Sequence, residues 1–158
     1  MMTIDDLCEP ESVKLNNNEF VIVTDPNNPK NRRRRTSTYV EIDGVKFLID
    51  TSPDIHWQLL DNNIRHVDAV LYTHAHADHL HGIDDLRDLN RISRQSLDIF
   101  ASPETANDIK SRFPYLVCDK EHPNDPNYQP SLVLNEVEHS KPFYVNGVKI
   151  VPIKLEGH

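Results

Sequence analysis

Thr73-His74-Ala75-His76-Ala77-Asp78-His79, directly after the apolar run from Val67 to Tyr72, is the stretch on which the fold turns. It puts three imidazoles and one carboxylate into positions 74–79, at the exit of a strand. In extended backbone, residues i and i+2 point to the same side, so His74 and His76 can converge on one cation. Asp78 and His79 fall where the chain turns into the next element. There they can face a second cation roughly 3.5 to 4 Å from the first, the spacing of two-metal hydrolytic sites. Neutral imidazole with one carboxylate suits zinc best, with manganese or iron as alternatives. The bland alternative is a polar loop with surface histidines. Against it, four of the nine histidines of the chain (74, 76, 79 and 81) lie within eight positions.

Outward from the motif, the chain alternates strand and helix signals. Residues 38–42 and 45–49, rich in β-branched and aromatic side chains, flank Asp43-Gly44 and predict a hairpin. Residues 54–63 carry Ile55, Leu59 and either Trp57 or Leu60 at helical spacing behind Pro53, which predicts a helix. Residues 80–91, with Ile83, Leu86 and Leu89 among Asp and Arg, predict an amphipathic helix. On that helix His81 stands too far along to share its neighbours' metal, and reads as a supporting or exposed group. Residues 97–101 predict a strand, and Ser102-Pro103-Glu104 a capped helix running to about residue 113. After a proline-rich, charged loop over 118–130, strands follow at 132–137, 143–145 and 148–153, the last two joined by Asn146-Gly147. Alternation with hairpins predicts an α/β layered fold.

Composition bounds the rest. The chain has 158 residues, enough for one domain, but a hydrophobic fraction of 37% and eleven prolines predict a modest core and much loop. Residues 1–30 are polar and poorly patterned apart from the apolar run at 20–23, so the interpretable domain is 31–158. No apolar run is long enough to span a bilayer and the first residues lack a secretion signal, which predicts no membrane association and a cytoplasmic protein. Cys8 and Cys118 are far apart and read as free thiols. With 25 acidic against 17 basic residues and a net charge of −8, a broad nucleic-acid surface is not expected. Lys30 and Arg32 to Arg35 form a local basic patch. Arg33 and Arg35 are candidates to bind the phosphate of a small substrate, because guanidinium groups grip phosphate oxygens in pairs. The alternative is a solvated loop whose arginines pair with nearby carboxylates.

His74-x-His76-x-Asp78-His79, with Asp50 closing the earlier strand, resembles the metallo-β-lactamase superfamily of binuclear metal hydrolases. Asn31-Arg32-Arg33-Arg34-Arg35-Thr36-Ser37, Leu48-Ile49-Asp50-Thr51-Ser52-Pro53-Asp54 and His81-Gly82-Ile83-Asp84-Asp85-Leu86-Arg87 narrow the likeness to the branch containing the cyclic phosphodiesterase of phosphonate breakdown. The resemblance covers residues 31–158 and implies the amino-terminal half of an αββα sandwich. It implies two divalent metal ions in the complete site, with as few as one held by this chain. His74, His76 and His158 would bind the first ion, and Asp78 and His79 the second. Asp78 would also serve the catalytic water, and Asp50 would orient a metal ligand, although a turn cap is the alternative for Asp50.

The family continues, after the position of His158, with a bridging carboxylate, a further histidine and a second sheet. The resemblance therefore implies a truncated hydrolase of phosphodiesters or cyclic phosphates, with phosphatase, nuclease and thioester hydrolase as neighbouring activities. A non-catalytic metal-binding remnant, pairing as a homodimer or with a complementing chain, is the alternative.

Overall fold

The computed structural model describes the backbone of residues 11–15 and 19–23, then Pro29 and residues 33–120, 122–125 and 127–155. Contacts divide the chain into two units, residues 1–34 and 35–158. The first contains an antiparallel pair, β1 (Glu11–Leu15) and β2 (Glu19–Val23), in register Glu11 with Val23. The sequence alone marks only the apolar run at 20–23 there.

The second unit is built on a five-stranded sheet of β3 (Thr38–Ile42), β4 (Val45–Ile49), β5 (Ala69–Leu71), β6 (Leu97–Ala101) and β7 (Leu132–Glu136), in that spatial order. β3 and β4 form the expected hairpin. Asp43 and Gly44 both take positive φ, 51° and 82°, as the two-residue turn that matches strand twist requires. From β4 to β7 all pairs are parallel. Each crossover therefore carries helical chain: α1 (Ile55–Asp61), then α2 (Ala77–Leu80) and α3 (Leu86–Ser93), then α4 (Pro103–Arg112). Ser102 caps α4 as its sequence predicts, accepting the Thr105 N–H at 3.3 Å.

The helices share one face of the sheet. Leu48, Val70, Ile99 and Leu132 from the strands bury there against Ile55, Leu59, Leu80, Leu86, Leu89 and Ile109. In α1 the buried pair is Ile55 and Leu59, while Trp57 and Leu60 face solvent. The other face holds Val45, Phe47 and Ala69, with Val145 packed on them. Val145 belongs to a second hairpin, β8 (Phe143–Val145) and β9 (Val148–Ile150), turning at Asn146-Gly147 as expected. Phe143 stacks on Phe100, ring centroids 4.7 Å apart. The sheet is thus layered by helices on one side and by the β8–β9 hairpin on the other. Among the described residues no helix is long and apolar enough to cross a membrane.

Three expectations fail locally, the first being that the strand expected over 148–153 pairs only through Val148–Ile150. The strand expected over 67–72 is a ladder of only Ala69–Leu71, although Tyr72 still donates its N–H to Phe100 O at 2.8 Å. The single helix expected over 80–91 is interrupted. α2 stops at Leu80, a 3₁₀ turn covers Ile83–Asp85, and α3 begins at Leu86. Gly82 is the cause. Its N–H donates to Thr51 O at 2.9 Å, and a Cβ at Gly82 would stand 2.1 Å from Ser52 O and 2.6 Å from Ile55 Cγ2. The chain presses here against the loop after β4, and a continuous helix with a side chain at this point would not fit.

Candidate metal centre

Parallel strands deliver their carboxyl ends to one edge, and the motif residues gather there, as is usual for open α/β sheets. Asp50 follows β4, and residues 73–76 follow β5. Asp50 is buried and holds a left-handed φ of 60°, a conformation that costs a non-glycine residue energy and persists only where the surroundings impose it. Its N–H continues the sheet by donating to Leu71 O at 2.9 Å. Its carboxylate turns toward the motif. Oδ1 accepts the Thr73 N–H at 2.8 Å; Oδ2 accepts the Thr73 hydroxyl at 2.7 Å and the His79 Nδ1–H at 2.7 Å. Three donors on one buried carboxylate remove most of the cost of its burial.

The proton count of this network fixes two tautomers. A threonine hydroxyl has one proton, and Thr73 gives it to Asp50. His74 Nδ1, 2.9 Å from Thr73 Oγ1, must then be the donor of that contact. In their neutral forms His74 and His79 therefore carry the proton on Nδ1 and the lone pair on Nε2, the form in which imidazole binds a metal. Asp50 thus orients the His79 ring directly and reaches His74 through Thr73.

The backbone makes the same join. Thr51 donates its N–H to His79 O at 2.7 Å, and its hydroxyl lies 2.9 Å from the Tyr72 hydroxyl and 3.3 Å from Leu80 O. Burial drives the Tyr72 phenol far above its ordinary range; the Thr51 bond opposes this, and the Asp50 charge adds to it. Tyr72 is a neutral strut under the site.

His76 is the extended residue on which α2 starts, and its carbonyl accepts both His79 and Leu80 N–H at 3.0 Å. The imidazoles of His74 and His76 lie edge to face with centroids 4.5 Å apart, and those of His74 and His79 at 4.2 Å. Asp78 Oδ2 is 3.5 Å from His79 Nε2. The four motif residues are therefore neighbours. Among the described residues, no group of three His, Cys, Asp or Glu side chains is arranged to hold a metal ion as it stands. The donor chemistry nevertheless fits a divalent cation: two imidazoles with oriented Nε2 lone pairs, a third imidazole, and a carboxylate more than half exposed in α2's first turn.

The other expected residues fall as follows. His158, Cys8, Lys30 and Arg32 lie outside the described residues. Arg33 is exposed, in the first unit. Arg35 donates its N–H to Asp54 Oδ2 at 2.8 Å and places its guanidinium 3.1 and 3.2 Å from the two carboxylate oxygens, so it is engaged with a nearby acid. His81 is exposed and meets Phe113 edge-on. Thr73 is a site residue that the sequence does not single out; its one signal there is a hydroxyl placed directly before the first histidine.

Residues 46–158 match the family described as Beta-lactamase superfamily domain, and the chain belongs to that family. It is 35% identical over 125 residues to an octanoyltransferase of Porphyromonas gingivalis, covering 78% of this chain and 24% of that protein. It superposes on a diphosphatase of the PhnP family with a TM-score of 0.64 and 34% identity, over 80% of this chain and 45% of that one. Zinc-bound PqqB of Methylobacterium extorquens shares the fold, at TM-score 0.53 and 22% identity over 73% of this chain and 37% of that one. The chain thus spans about a quarter of the curated relative and less than half of either solved relative.

Proposed function

We propose that this chain carries the motif half of a metal-dependent hydrolase acting on a small phosphodiester, diphosphate or cyclic phosphate in the cytoplasm. The observation that carries it is the Asp50 network, which orients the His79 ring directly and the His74 ring through Thr73. The likeness to the PhnP-family diphosphatase supports phosphate chemistry. The octanoyltransferase name carries less weight, because the matched stretch is only 24% of that protein.

In this reading His74, His76 and His158 hold one zinc, and Asp78 and His79 a second, with manganese or iron as substitutes. A bound cation pair would supply an activated water and a sink for phosphoryl charge. The chain's own residues do the rest. Asp50 fixes the imidazoles, Tyr72 and Thr51 hold the loop rigid from below, and Asp78 Oδ2 offers an acceptor for the proton of the attacking water. Arg33 and Arg35 are proposed to meet the substrate phosphate, Arg35 exchanging its Asp54 partner for it.

The second reading is a metal-binding half-domain that works with a second copy or a complementing chain. It is favoured by coverage, since the chain matches only 45% of the PhnP-family diphosphatase. Zinc content, measured together with turnover of bis-p-nitrophenyl phosphate, separates the two. Bound zinc with multiple turnovers supports the hydrolase, bound zinc without turnover supports the half-domain, and no zinc uptake refutes both.

A further inference from the structure

The motif loop is braced from a distant part of the chain. The last turn of α4 and the residues after it run along the loop and the turn that follows it, with three contacts. Arg112 donates Nη1–H to the carbonyl of Ala75 at 2.8 Å, 37 positions away in sequence, while its Nη2 reaches Asp108 one turn back at 3.0 Å. Phe113 meets the His81 ring with centroids 5.9 Å apart. The Tyr115 hydroxyl donates to Asp84 at 3.1 Å. Ala75 is the residue between His74 and His76, in a stretch that belongs to neither strand nor helix.

We propose that Arg112 is a positioning residue of the metal centre. By fixing the Ala75 carbonyl it sets the Ala75–His76 peptide plane, and hence the angle at which the His76 ring stands relative to that of His74. The inference rests on the metal reading above. A guanidinium suits this role, because it gives a charge-assisted bond to the carbonyl from one nitrogen and is itself held by a carboxylate at another. Asp108 is thus the anchor, Arg112 the arm and Ala75 the held point. The sign of the effect separates this role from plain electrostatics. A cationic side chain acting only through its charge repels a metal ion, so its removal would tighten binding; an arm that shapes the ligand pair weakens binding when lost.

The test is a cobalt(II) titration of the chain followed by visible absorption, whose bands report coordination geometry independently of turnover. Arg112→Gln is expected to bind cobalt about 10- to 100-fold more weakly, the range for changes behind metal ligands, and to show altered bands at saturation. Arg112→Lys keeps one donor but loses the fork, and Asp108→Asn loosens the arm; both should fall between wild type and Arg112→Gln. Unchanged or tighter binding with an unchanged spectrum in Arg112→Gln would overturn the proposal. If Arg112→Gln does not fold, unchanged affinity and spectrum in both milder variants would overturn it. No cobalt uptake by the wild type would overturn the metal reading and this proposal together, whereas uptake by wild type and variants alike would overturn this proposal alone.

Discussion

Replacing Thr73 by Val removes one hydroxyl and almost no volume, and the structure shows what that hydroxyl does. It donates to Asp50 Oδ2 at 2.7 Å and accepts from His74 Nδ1 at 2.9 Å. A hydrogen bond to a charged group contributes about 1.5 to 3 kcal/mol when buried. Thr73 is exposed, so water can replace part of what is lost. The expected destabilisation of the metal-free chain is therefore at the lower end, about 1 to 2 kcal/mol, read from the midpoint of urea unfolding. The Thr73 N–H to Asp50 Oδ1 bond survives the change, and so does the direct His79 bond. The metal effect should thus fall on His74 alone. Without that acceptor at Nδ1 its ring can rotate and take the other tautomer, and zinc affinity should drop about 10- to 100-fold, some 1.4 to 2.8 kcal/mol. Thr73→Ser keeps the hydroxyl and should restore affinity to within a few-fold of wild type. A competitive zinc titration measures all three proteins. Equal zinc affinity in wild type and Thr73→Val would refute the relay from Asp50 through Thr73 to His74.

Further tests address the frame and the substrate. Gly82→Ala should destabilise the chain by about 3 kcal/mol or prevent folding, because its Cβ would meet Ser52 O at 2.1 Å; helix propensity alone would give about 1 kcal/mol of the opposite sign, so the direction of the unfolding midpoint decides. Buried Tyr72 stays protonated in the folded chain but ionises at about pH 10 once unfolded, so the unfolded state binds fewer protons above that pH and stability must fall as pH rises. Tyr72→Phe should lose about 1 kcal/mol at pH 8 and show a shallower loss between about pH 9 and 11, measured by urea midpoints; parallel slopes would contradict the burial argument. Arg33→Gln with Arg35→Gln should weaken binding of a cyclic nucleotide in calorimetry without changing zinc content, and an unchanged affinity would return these arginines to a solvated, acid-paired loop.

Whatever depends on neighbours in the chain is legible in the sequence. Asp43-Gly44 and Asn146-Gly147 specify their hairpins through backbone conformations that few other pairs adopt. Ser102-Pro103 opens α4 by a contact reaching three positions ahead. The histidine motif itself is local, and its split between extended backbone at His76 and helix from Ala77 is where the structure has it. What stays hidden depends on residues far apart. Nothing around Gly82 announces that the Ser52 carbonyl lies against it, so the 80–91 periodicity reads as one helix. The same holds for Trp57 and Leu60, whose exposure is set by which face of α1 meets the sheet. Asp50 can be suspected from its place at a strand end, but its left-handed backbone and its grip on two histidines emerge only when β4 and β5 lie side by side. Arg112 is an ordinary cation at a helix end until α4 folds back over Ala75.

The most direct test of a metal centre at residues 74–79 is zinc binding by equilibrium titration for wild type, His76→Ala and Asp78→Ala. Both side chains are exposed, so neither change should cost the fold its core. Each loss of a ligand is expected to weaken zinc binding by an order of magnitude or more, at least as much as the roughly 10- to 100-fold produced by changes behind the ligands. His76→Ala should impair the site shared with His74, and Asp78→Ala the site shared with His79. Three proteins with the same zinc affinity and stoichiometry would contradict the metal centre outright.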